Sequence, residues 1–359
     1  MEQDEMESNQ HKPVGRRNAL KVATGAGVAT VATMAMSPGV AGAASPSDWY
    51  TVAPTAGDQT AQIQTALDQA FNAGGGVVYL ETGEFRISNR LLLRANVTLM
   101  GAGAGTKLTA SGANFAWMVQ FALNSHAAVL KDMRLFGANT AGGVGLFTNG
   151  TGGFSGNDSY ALVENLFIQD ARTSGMRVGI GSNTREVRLH NVVVLRSKGG
   201  HGIWFDAVDS IISNCTVAGS KFDGFRIARA NNRVTGCKAF FNGLNGFHVL
   251  GSRGQLSACQ AQDNEGDGFR IAGAEDVALS ACGADSNQFV GIRLLDCNGV
   301  SFEGASSISR GANVGFDQVF GVRIQSSQNS RITGVSRLNQ VNLNVVASPT
   351  VDTSGLITP

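Results

Sequence analysis

The tetrapeptide Gly202-Ile203-Trp204-Phe205 is the first of five similar segments, each with a glycine followed by an apolar, a variable and a second apolar residue. The other four are Gly224-Phe225-Arg226-Ile227, Gly246-Phe247-His248-Val249, Gly268-Phe269-Arg270-Ile271 and Gly291-Ile292-Arg293-Leu294. Successive segments lie 22, 22, 22 and 23 residues apart. A fixed period of this length is the signature of a protein built from one repeated structural unit.

Two further columns of residues keep the same spacing. Cysteines recur at Cys215, Cys237, Cys259 and Cys282, and small polar side chains recur at Ser220, Asn242, Asn264 and Asn287. Gly175-Met176-Arg177-Val178 and Gly321-Val322-Arg323-Ile324 fit the tetrapeptide with longer inserted turns. Three columns in one register indicate clear repeats through residues 170–340.

Within each repeat, apolar and polar residues alternate with a period of two, which is the spacing of a β-strand. A repeat of 22 residues is too short for two helices and a turn, but it holds two or three short strands. We therefore expect an all-β, right-handed parallel β-helix with one coil per repeat, in which Phe225, Phe247 and Phe269 form an internal ladder. A leucine-rich-repeat horseshoe would need leucine columns and a helical half-turn, neither of which the sequence contains.

A different pattern precedes the repeats. Residues Asp58 to Phe71 predict a short amphipathic helix with Ile63, Ala66, Leu67, Ala70 and Phe71 on its apolar side. Three glycines and the strand Val77 to Leu80 follow it. Such a helix would cap the first coil, whose open strand edges would otherwise be exposed.

The segments Gly75 to Leu80, Gly83 to Ser88, Leu91 to Leu93 and Val97 to Gly103 resemble the opening of pectate-lyase-superfamily proteins. The resemblance covers residues 57–108, the N-terminal cap and first coils. It implies a β-helix that cleaves, isomerises or binds polysaccharides, as in phage tailspike depolymerases. The matching segments belong to the scaffold, so they imply no particular active site.

The first 43 residues predict an export signal. Arg16-Arg17 lies before a weakly apolar stretch that ends near Ala41-Gly42-Ala43, small residues that a signal peptidase can cut after. This resembles a twin-arginine signal; the alternative is a chance basic pair in a disordered tail. The stretch is too short and too rich in alanine and glycine for a stable membrane span. We expect secretion, with residues 44–359 as a single mature domain.

Composition limits the classes of partner. The chain has 28 basic and 27 acidic residues, a net charge of +1, which gives no global reason to expect binding to nucleic acid or a membrane surface. The oligomeric state stays open.

The cysteine column predicts a buried ladder of free thiols, with Cys297 outside it, because a twin-arginine substrate folds in a reducing compartment before export.

The variable position of the tetrapeptide points outward and forms a mostly basic stripe. Its members are Arg177, Trp204, Arg226, His248, Arg270, Arg293 and Arg323. Guanidinium groups about one coil apart can bind the carboxylates or sulfates of an extended polyanionic polysaccharide, and a tryptophan can stack on a sugar or on a neighbouring guanidinium. The alternative is a solvated strand face without a ligand.

Carboxylates flank this stripe. Asp223 and Asp267 precede their glycines, so they can work with Arg226, His248 and Arg270 as acid, base and cation. These groups suit a polysaccharide lyase or epimerase, which removes the proton α to a uronate carboxylate. A glycoside hydrolase, which needs two carboxyl groups about 5 to 9.5 Å apart, local ion pairs and a non-catalytic glycan-binding or structural module are the alternatives.

Gly200-His201-Gly202 resembles the Gly-His-Gly element of polygalacturonases, which implies a substrate-binding role for His201. Ala228 stands where that family has lysine, and the preceding coils lack its paired aspartates, so a standard polygalacturonase site is not expected. His201 would otherwise end a glycine-rich turn.

Two further features are weaker. Asp263, Glu265 and Asp267 place three acids in one loop, and hard oxygen ligands of this kind suit calcium (Ca2+). The glycine-rich segment from Ala138 to Ser159 is a candidate wall for a substrate groove.

Overall fold

The computed structural model describes residues 49–147, 159–179, 184–311 and 315–358. Within these ranges the chain folds into parallel β-strands arranged in two sheets, together with one α-helix and one 3-10 turn, Gly103–Gly105. The predicted export signal, residues 1–43, lies outside the described residues.

The smaller sheet takes one strand from each coil. Its eleven strands are β4 (Leu91–Leu93), β7 (Phe115–Phe121), β9 (Ala141–Leu146), β11 (Met176–Val178), β13 (Ile203–Phe205), β16 (Phe225–Ile227), β19 (Phe247–Val249), β22 (Phe269–Ala272), β25 (Val290–Leu295), β27 (Phe320–Gln325) and β29 (Val341–Val346). They stack in chain order, each parallel to the next. The repeated tetrapeptide therefore supplies one strand per coil, as predicted.

The larger sheet contains twenty strands. They are β1 (Trp49–Val52), β2 (Gly76–Leu80), β3 (Gly83–Ile87), β5 (Val97–Gly101), β6 (Thr106–Ala110), β8 (Val129–Phe136), β10 (Leu162–Gln169), β12 (Arg188–Leu195), β14 (Ile211–Ser213), β15 (Thr216–Ala218), β17 (Arg233–Thr235), β18 (Lys238–Phe240), β20 (Gln255–Ser257), β21 (Gln260–Gln262), β23 (Ala278–Ser280), β24 (Gly283–Asp285), β26 (Ser301–Ile308), β28 (Ser330–Arg337), β30 (Val351–Asp352) and β31 (Leu356–Ile357). In the regular repeats each coil gives two short strands to this sheet.

Three ladders fill the space between the sheets. The rings of Phe225 and Phe247 stack with centroids 4.8 Å apart, and those of Phe247 and Phe269 are 5.0 Å apart. The cysteine column is buried. In the amide column, the side-chain oxygen of each asparagine accepts the backbone N–H of the member one coil before it, as Asn264 does for Asn242 at 3.2 Å, which satisfies turn amides that would otherwise be buried without partners.

The helix α1 (Thr60–Asn72) packs against β1, β2 and β4 and covers the first coil. It begins two residues later than predicted because Asp58 accepts hydrogen bonds from the Thr60 backbone N–H and hydroxyl, at 3.0 and 2.6 Å, and so precedes the helix. The prediction for Phe71 was wrong: its side chain is 36% exposed and lies 5.0 Å from the guanidinium of Arg94. Across the described part of the chain, no helix is long and apolar enough to cross a membrane.

Candidate active site

A groove of about 550 Å³ crosses the outer face of the smaller sheet. Five consecutive coils line it, and their contributions are His201, Asp223, Arg226, Leu244, Asn245, His248, Gly266, Asp267, Arg270, Phe289 and Arg293. Seven of the predicted site residues are therefore neighbours in one concave surface.

The predicted stripe is a continuous column. Strand register pairs Arg177 with Trp204, Trp204 with Arg226, and so on through His248, Arg270 and Arg293 to Arg323. The members from Arg226 to Arg293 form the floor of the groove.

Trp204 uses its ring to hold arginines. The guanidinium of Arg177 lies 4.2 Å from the ring centroid and that of Arg226 lies 5.8 Å away, from the coils before and after. Of the two partners predicted for this ring, the structure has the guanidinium. Trp204 thus fixes Arg226 at one end of the groove.

Asp223 is the most heavily bonded carboxylate of the groove, with a side chain only 1% exposed. Its Oδ1 accepts the side-chain N–H of Asn245 at 2.7 Å and the backbone N–H of Asn245 at 3.2 Å. Its Oδ2 lies 3.1 Å from His248 Nδ1, 3.3 Å from His201 Nδ1 and 3.7 Å from Arg226 Nη1. Burial raises the pKa of Asp223, but the hydrogen bonds from His201 and His248 lower it by more than burial raises it. The pKa of this carboxyl therefore lies well below its usual range.

Each histidine has two possible contacts through Nδ1, and its tautomer decides between them. When His248 Nδ1 is protonated it donates to Asp223, and when it is not it accepts from Arg226 Nη1 at 3.2 Å. His201 Nδ1 likewise donates to the Asp223 carboxylate or accepts the Asp223 backbone N–H at 3.2 Å. The tautomer of His248 that donates to Asp223 leaves Nε2 with a lone pair for proton transfer.

Asp267 has the opposite environment. Its side chain is 3% exposed, and its Oδ2 lies 3.1 Å from Arg293 Nε and 3.5 Å from Arg270 Nη1. Neither contact has the alignment of a hydrogen bond, so this buried oxygen has no hydrogen-bond partner among the described residues. Burial raises the pKa of Asp267, and the attraction of Arg293 and Arg270 offsets only part of that effect.

The roles of Asn245 and of Leu244, Gly266 and Phe289 in the groove were not predicted. Asn245 lies between Asp223 and Asp267 at intervals of 22 residues. This spacing places Asn245 in the column of the two aspartates, but a search for acidic residues alone does not find it. The column one place earlier contains Leu244, Gly266 and Phe289, and Phe289 is 50% exposed. These residues give the groove an apolar side.

The calcium prediction was wrong. Arg310 Nη2 binds Asp263 at 2.6 Å, and its Nε binds Asp285 at 2.9 Å, whereas Asp267 faces the groove arginines. The segment turns from one sheet to the other here, with Asn264 buried in the amide ladder, so its acids diverge. Over the ranges that the structure covers, no group of three or more His, Cys, Asp or Glu side chains could hold a metal ion.

The predicted wall from Ala138 to Ser159 was wrong in its first part, because β9 runs through it as a buried strand. Residues 148–158 lie outside the described ranges. In the described groove, the apolar side is formed by Leu244 and Phe289 instead.

Curated relatives include enzymes of Azotobacter vinelandii. Mannuronan C5-epimerase AlgE4 is 29% identical over 195 residues, which are 49% of this chain and 34% of the relative. Alginate lyase 7 is 46% identical over 55 residues, 13% of this chain and 6% of the relative. The chain thus spans about a third of the length of the first relative and much less of the second.

Solved structures share the architecture. The A-module of mannuronan C-5 epimerase AlgE6 from Azotobacter vinelandii matches with a TM-score of 0.64 and 18% identity, over 84% of this chain and 96% of the other. At this identity the match establishes the fold alone.

Two family models match the sequence. Residues 201–354 match the right handed beta helix region, which confirms the predicted handedness. Residues 53–270 match the model described as rhamnogalacturonase A/epimerase, pectate lyase-like, which includes the predicted N-terminal cap and most of the groove. Because this second match covers more than half of the 359 residues, the chain belongs to the rhamnogalacturonase A/epimerase, pectate lyase-like family.

Proposed function

We propose that the protein is an exported enzyme that modifies an acidic polysaccharide by removing the C5 proton of a uronate residue. The observation that carries this proposal is the pairing of His248 with Asp223 on the floor of a groove, 3.1 Å apart and beside arginine side chains. A base held by a carboxylate and surrounded by cations is what C5 proton abstraction requires.

The first step depends on the arginines. A uronate carboxylate bound by Arg226 and Arg270, the floor residues on either side of His248, would have its negative charge neutralised. Neutralisation makes the neighbouring C5–H bond more acidic, because the electrons left on C5 delocalise into the carboxylate as an enediolate. The arginines then stabilise the charge that develops in the transition state.

The second step is proton transfer to His248. With Nδ1 donating to Asp223 Oδ2, Nε2 takes the C5 proton and the ring becomes an imidazolium. The ionised Asp223 stabilises that cation and fixes the tautomer. The low pKa of Asp223 keeps it ionised while the ring is charged.

The enediolate has two fates. Reprotonation of C5 from water on the opposite face inverts the sugar, which is epimerisation, and the His248 imidazolium then returns its proton to solvent. Breakage of the bond between C4 and its glycosidic oxygen leaves a 4,5-unsaturated uronate, which is elimination; the departing oxygen takes a proton from the His248 imidazolium or from water and leaves as a hydroxyl group. Relatives named mannuronan C5-epimerase and alginate lyase support this shared chemistry. They favour a polyuronate as substrate.

The spacing of the site supports a polymeric substrate. Stacked strands repeat about every 4.8 Å, so a column of floor residues several coils long offers guanidinium groups to more than one unit of an extended chain. The Arg16-Arg17 signal favours export through the twin-arginine pathway, which would bring the enzyme to extracellular polysaccharide.

Product analysis tests the proposal. The purified mature domain is incubated with polymannuronate, polyguluronate and polygalacturonate, and unsaturated uronate, uronate composition and reducing ends are measured. We expect unsaturation or a changed uronate composition, lost in His248→Ala and in an Arg226→Ala/Arg270→Ala double variant, but retained in His126→Ala, whose side chain is exposed outside the groove. New reducing ends without unsaturation would indicate hydrolysis, and no change with any polymer would contradict the proposal and favour a binding module.

A further inference from the structure

The two halves of the groove differ in how their aspartates, Asp223 and Asp267, are hydrogen-bonded. The inference from this difference rests on the proposed function. Asp223 and Asp267 both line the groove. Asp223 is saturated with hydrogen bonds, whereas Oδ2 of Asp267 and Nε of Arg293 are buried and lack hydrogen-bond partners within the described residues, although they lie 3.1 Å apart. The two atoms are close enough for a hydrogen bond but are not aligned for one, so the hydrogen-bonding capacity of both is unused.

We infer that Arg293, with Arg270 shared from the reacting position, forms a subsite for the carboxylate of the neighbouring uronate, and that Asp267 holds this subsite until the substrate carboxylate replaces it and Asp267 takes up a proton.

The geometry of the arginines supports an incoming ligand. Asp267 offers each guanidinium one imperfect contact, at 3.5 Å to Arg270 Nη1 and 3.1 Å to Arg293 Nε. A planar guanidinium binds a carboxylate best through two parallel N–H groups. A substrate carboxylate above the floor can meet these groups, whereas Asp267, in the turn before the strand of Arg270, reaches them only from the side.

The charges around Asp267 explain why this carboxylate takes up a proton when the substrate binds. The charged groups that face Asp267 are Arg270 from its own coil and Arg293 from the next, while the preceding coil contributes the neutral Asn245, whose Oδ1 accepts the Asp267 backbone N–H at 3.0 Å. Burial already raises the pKa of Asp267, and the two arginines oppose this. A second carboxylate that engages those arginines removes their support and adds a like charge, so protonation of Asp267 becomes favourable.

The wall beside Asp267 leaves room for a sugar ring. Leu244 and Phe289 project from the coils on either side, and Gly266 between them has no side chain. A Cβ at Gly266 would lie 2.7 Å from the carbonyl carbon of Leu244, so this position does not accept a larger residue without a shift of the backbone. The gap would receive the pyranose whose carboxylate binds Arg270 and Arg293.

The test measures protons taken up on binding. A mannuronate pentamer is titrated calorimetrically into the His248→Ala variant, which removes turnover and the titration of that imidazole, in buffers of different ionisation enthalpy between about pH 4 and pH 8. We expect uptake approaching one proton per bound pentamer at its maximum. Adding Asp267→Asn should abolish the uptake and strengthen binding at neutral pH by about 5-fold or more.

Two further variants make the result interpretable. Arg293→Gln should weaken binding and reduce the uptake, and it tests the subsite independently if Asp267→Asn folds poorly. Asp170→Asn, which loses the ion pair with Arg196 at 2.7 Å outside the groove, should behave like its parent. Uptake unchanged by Asp267→Asn, absence of uptake, or absence of pentamer binding would each overturn the inference.

The inference and the proposed function fail separately. Product formation by the wild-type protein without Asp267-dependent proton uptake would overturn the subsite and leave the function standing. Proton-coupled binding without any product would leave the subsite standing and overturn the function.

Discussion

Asp223 and Asp267 occupy equivalent positions two coils apart, and the protein treats them in opposite ways. Asp223 accepts hydrogen bonds from Asn245 and faces two imidazoles, and its pKa is lowered. Asp267 is buried between two arginines with one oxygen lacking a hydrogen bond among the described residues, and its pKa is raised. Two carboxyl groups with pKa values pushed apart are a common arrangement for dividing charge stabilisation from proton binding within one site.

Asp223→Asn is expected to destabilise the fold by about 3 kcal/mol at neutral pH, because it breaks a buried charged network. Since the folded-state pKa of Asp223 lies below the unfolded value of 3.8, its stabilising contribution is complete above that value and is lost as the pH falls through the folded-state pKa. Urea unfolding at several pH values measures this. An equal loss at all pH values would show that ionisation of Asp223 is not the cause.

Asp267→Asn is expected to stabilise the fold at neutral pH, the opposite of the effect of Asp223→Asn. Because the folded-state pKa of Asp267 is raised above the unfolded value of 3.8, the contribution of this carboxyl to folding stability is fully present below pH 3.8. That contribution is lost as the pH rises through the folded-state pKa. The variant lacks this loss, so its melting temperature should exceed that of the wild type at neutral pH and match it in acid. A variant less stable than the wild type at neutral pH would contradict the assignment.

Phe247→Ala is expected to cost about 3 to 5 kcal/mol of unfolding free energy. Phe247 is fully buried and stacks on Phe225 and Phe269, so its removal opens a cavity in the middle of the ladder. The matched control is Phe241→Ala, because Phe241 is 59% exposed. Thermal unfolding distinguishes the two, and comparable losses would show that the ladder adds little to stability.

His248→Gln is expected to reduce turnover by about 10²- to 10⁴-fold, the usual contribution of a general base. The amide keeps a polar group near Asp223 but cannot take a proton from carbon. Binding of a uronate oligomer should change much less than turnover, because the arginines remain. Equal losses in binding and turnover would assign His248 to substrate binding.

The repeat columns predicted the fold because a β-helix converts sequence spacing directly into stacking. Residues 22 apart must lie above one another, so the sequence alone places Phe225, Phe247 and the stripe arginines in their columns. Errors arose where neighbours outside the column decide the outcome. The sequence predicts Asp263 as a calcium ligand, but its spacing gives no sign that Arg310, 47 residues away, pairs with this carboxylate.

The contrast between Asp223 and Asp267 was also beyond prediction. Both precede a glycine and an arginine-containing strand, so their local sequences are nearly the same. Their difference comes from the neighbouring coils. Asp223 meets His201 from the preceding coil and Asn245 and His248 from the following one, whereas Asp267 has Asn245 before it and Arg293 after it. Such pairing depends on which columns lie side by side, and that requires the register of the folded sheet.

The most direct test of the central claim is loss of the H5 signal from polymannuronate in D2O, followed by proton NMR with wild-type protein, His248→Ala and His126→Ala. The account predicts that the wild type and His126→Ala either replace H5 with deuterium or eliminate it, whereas His248→Ala leaves the signal intact. Persistence of H5 with the wild-type protein on polymannuronate, polyguluronate and polygalacturonate, or its equal loss with His248→Ala, would contradict proton abstraction by His248.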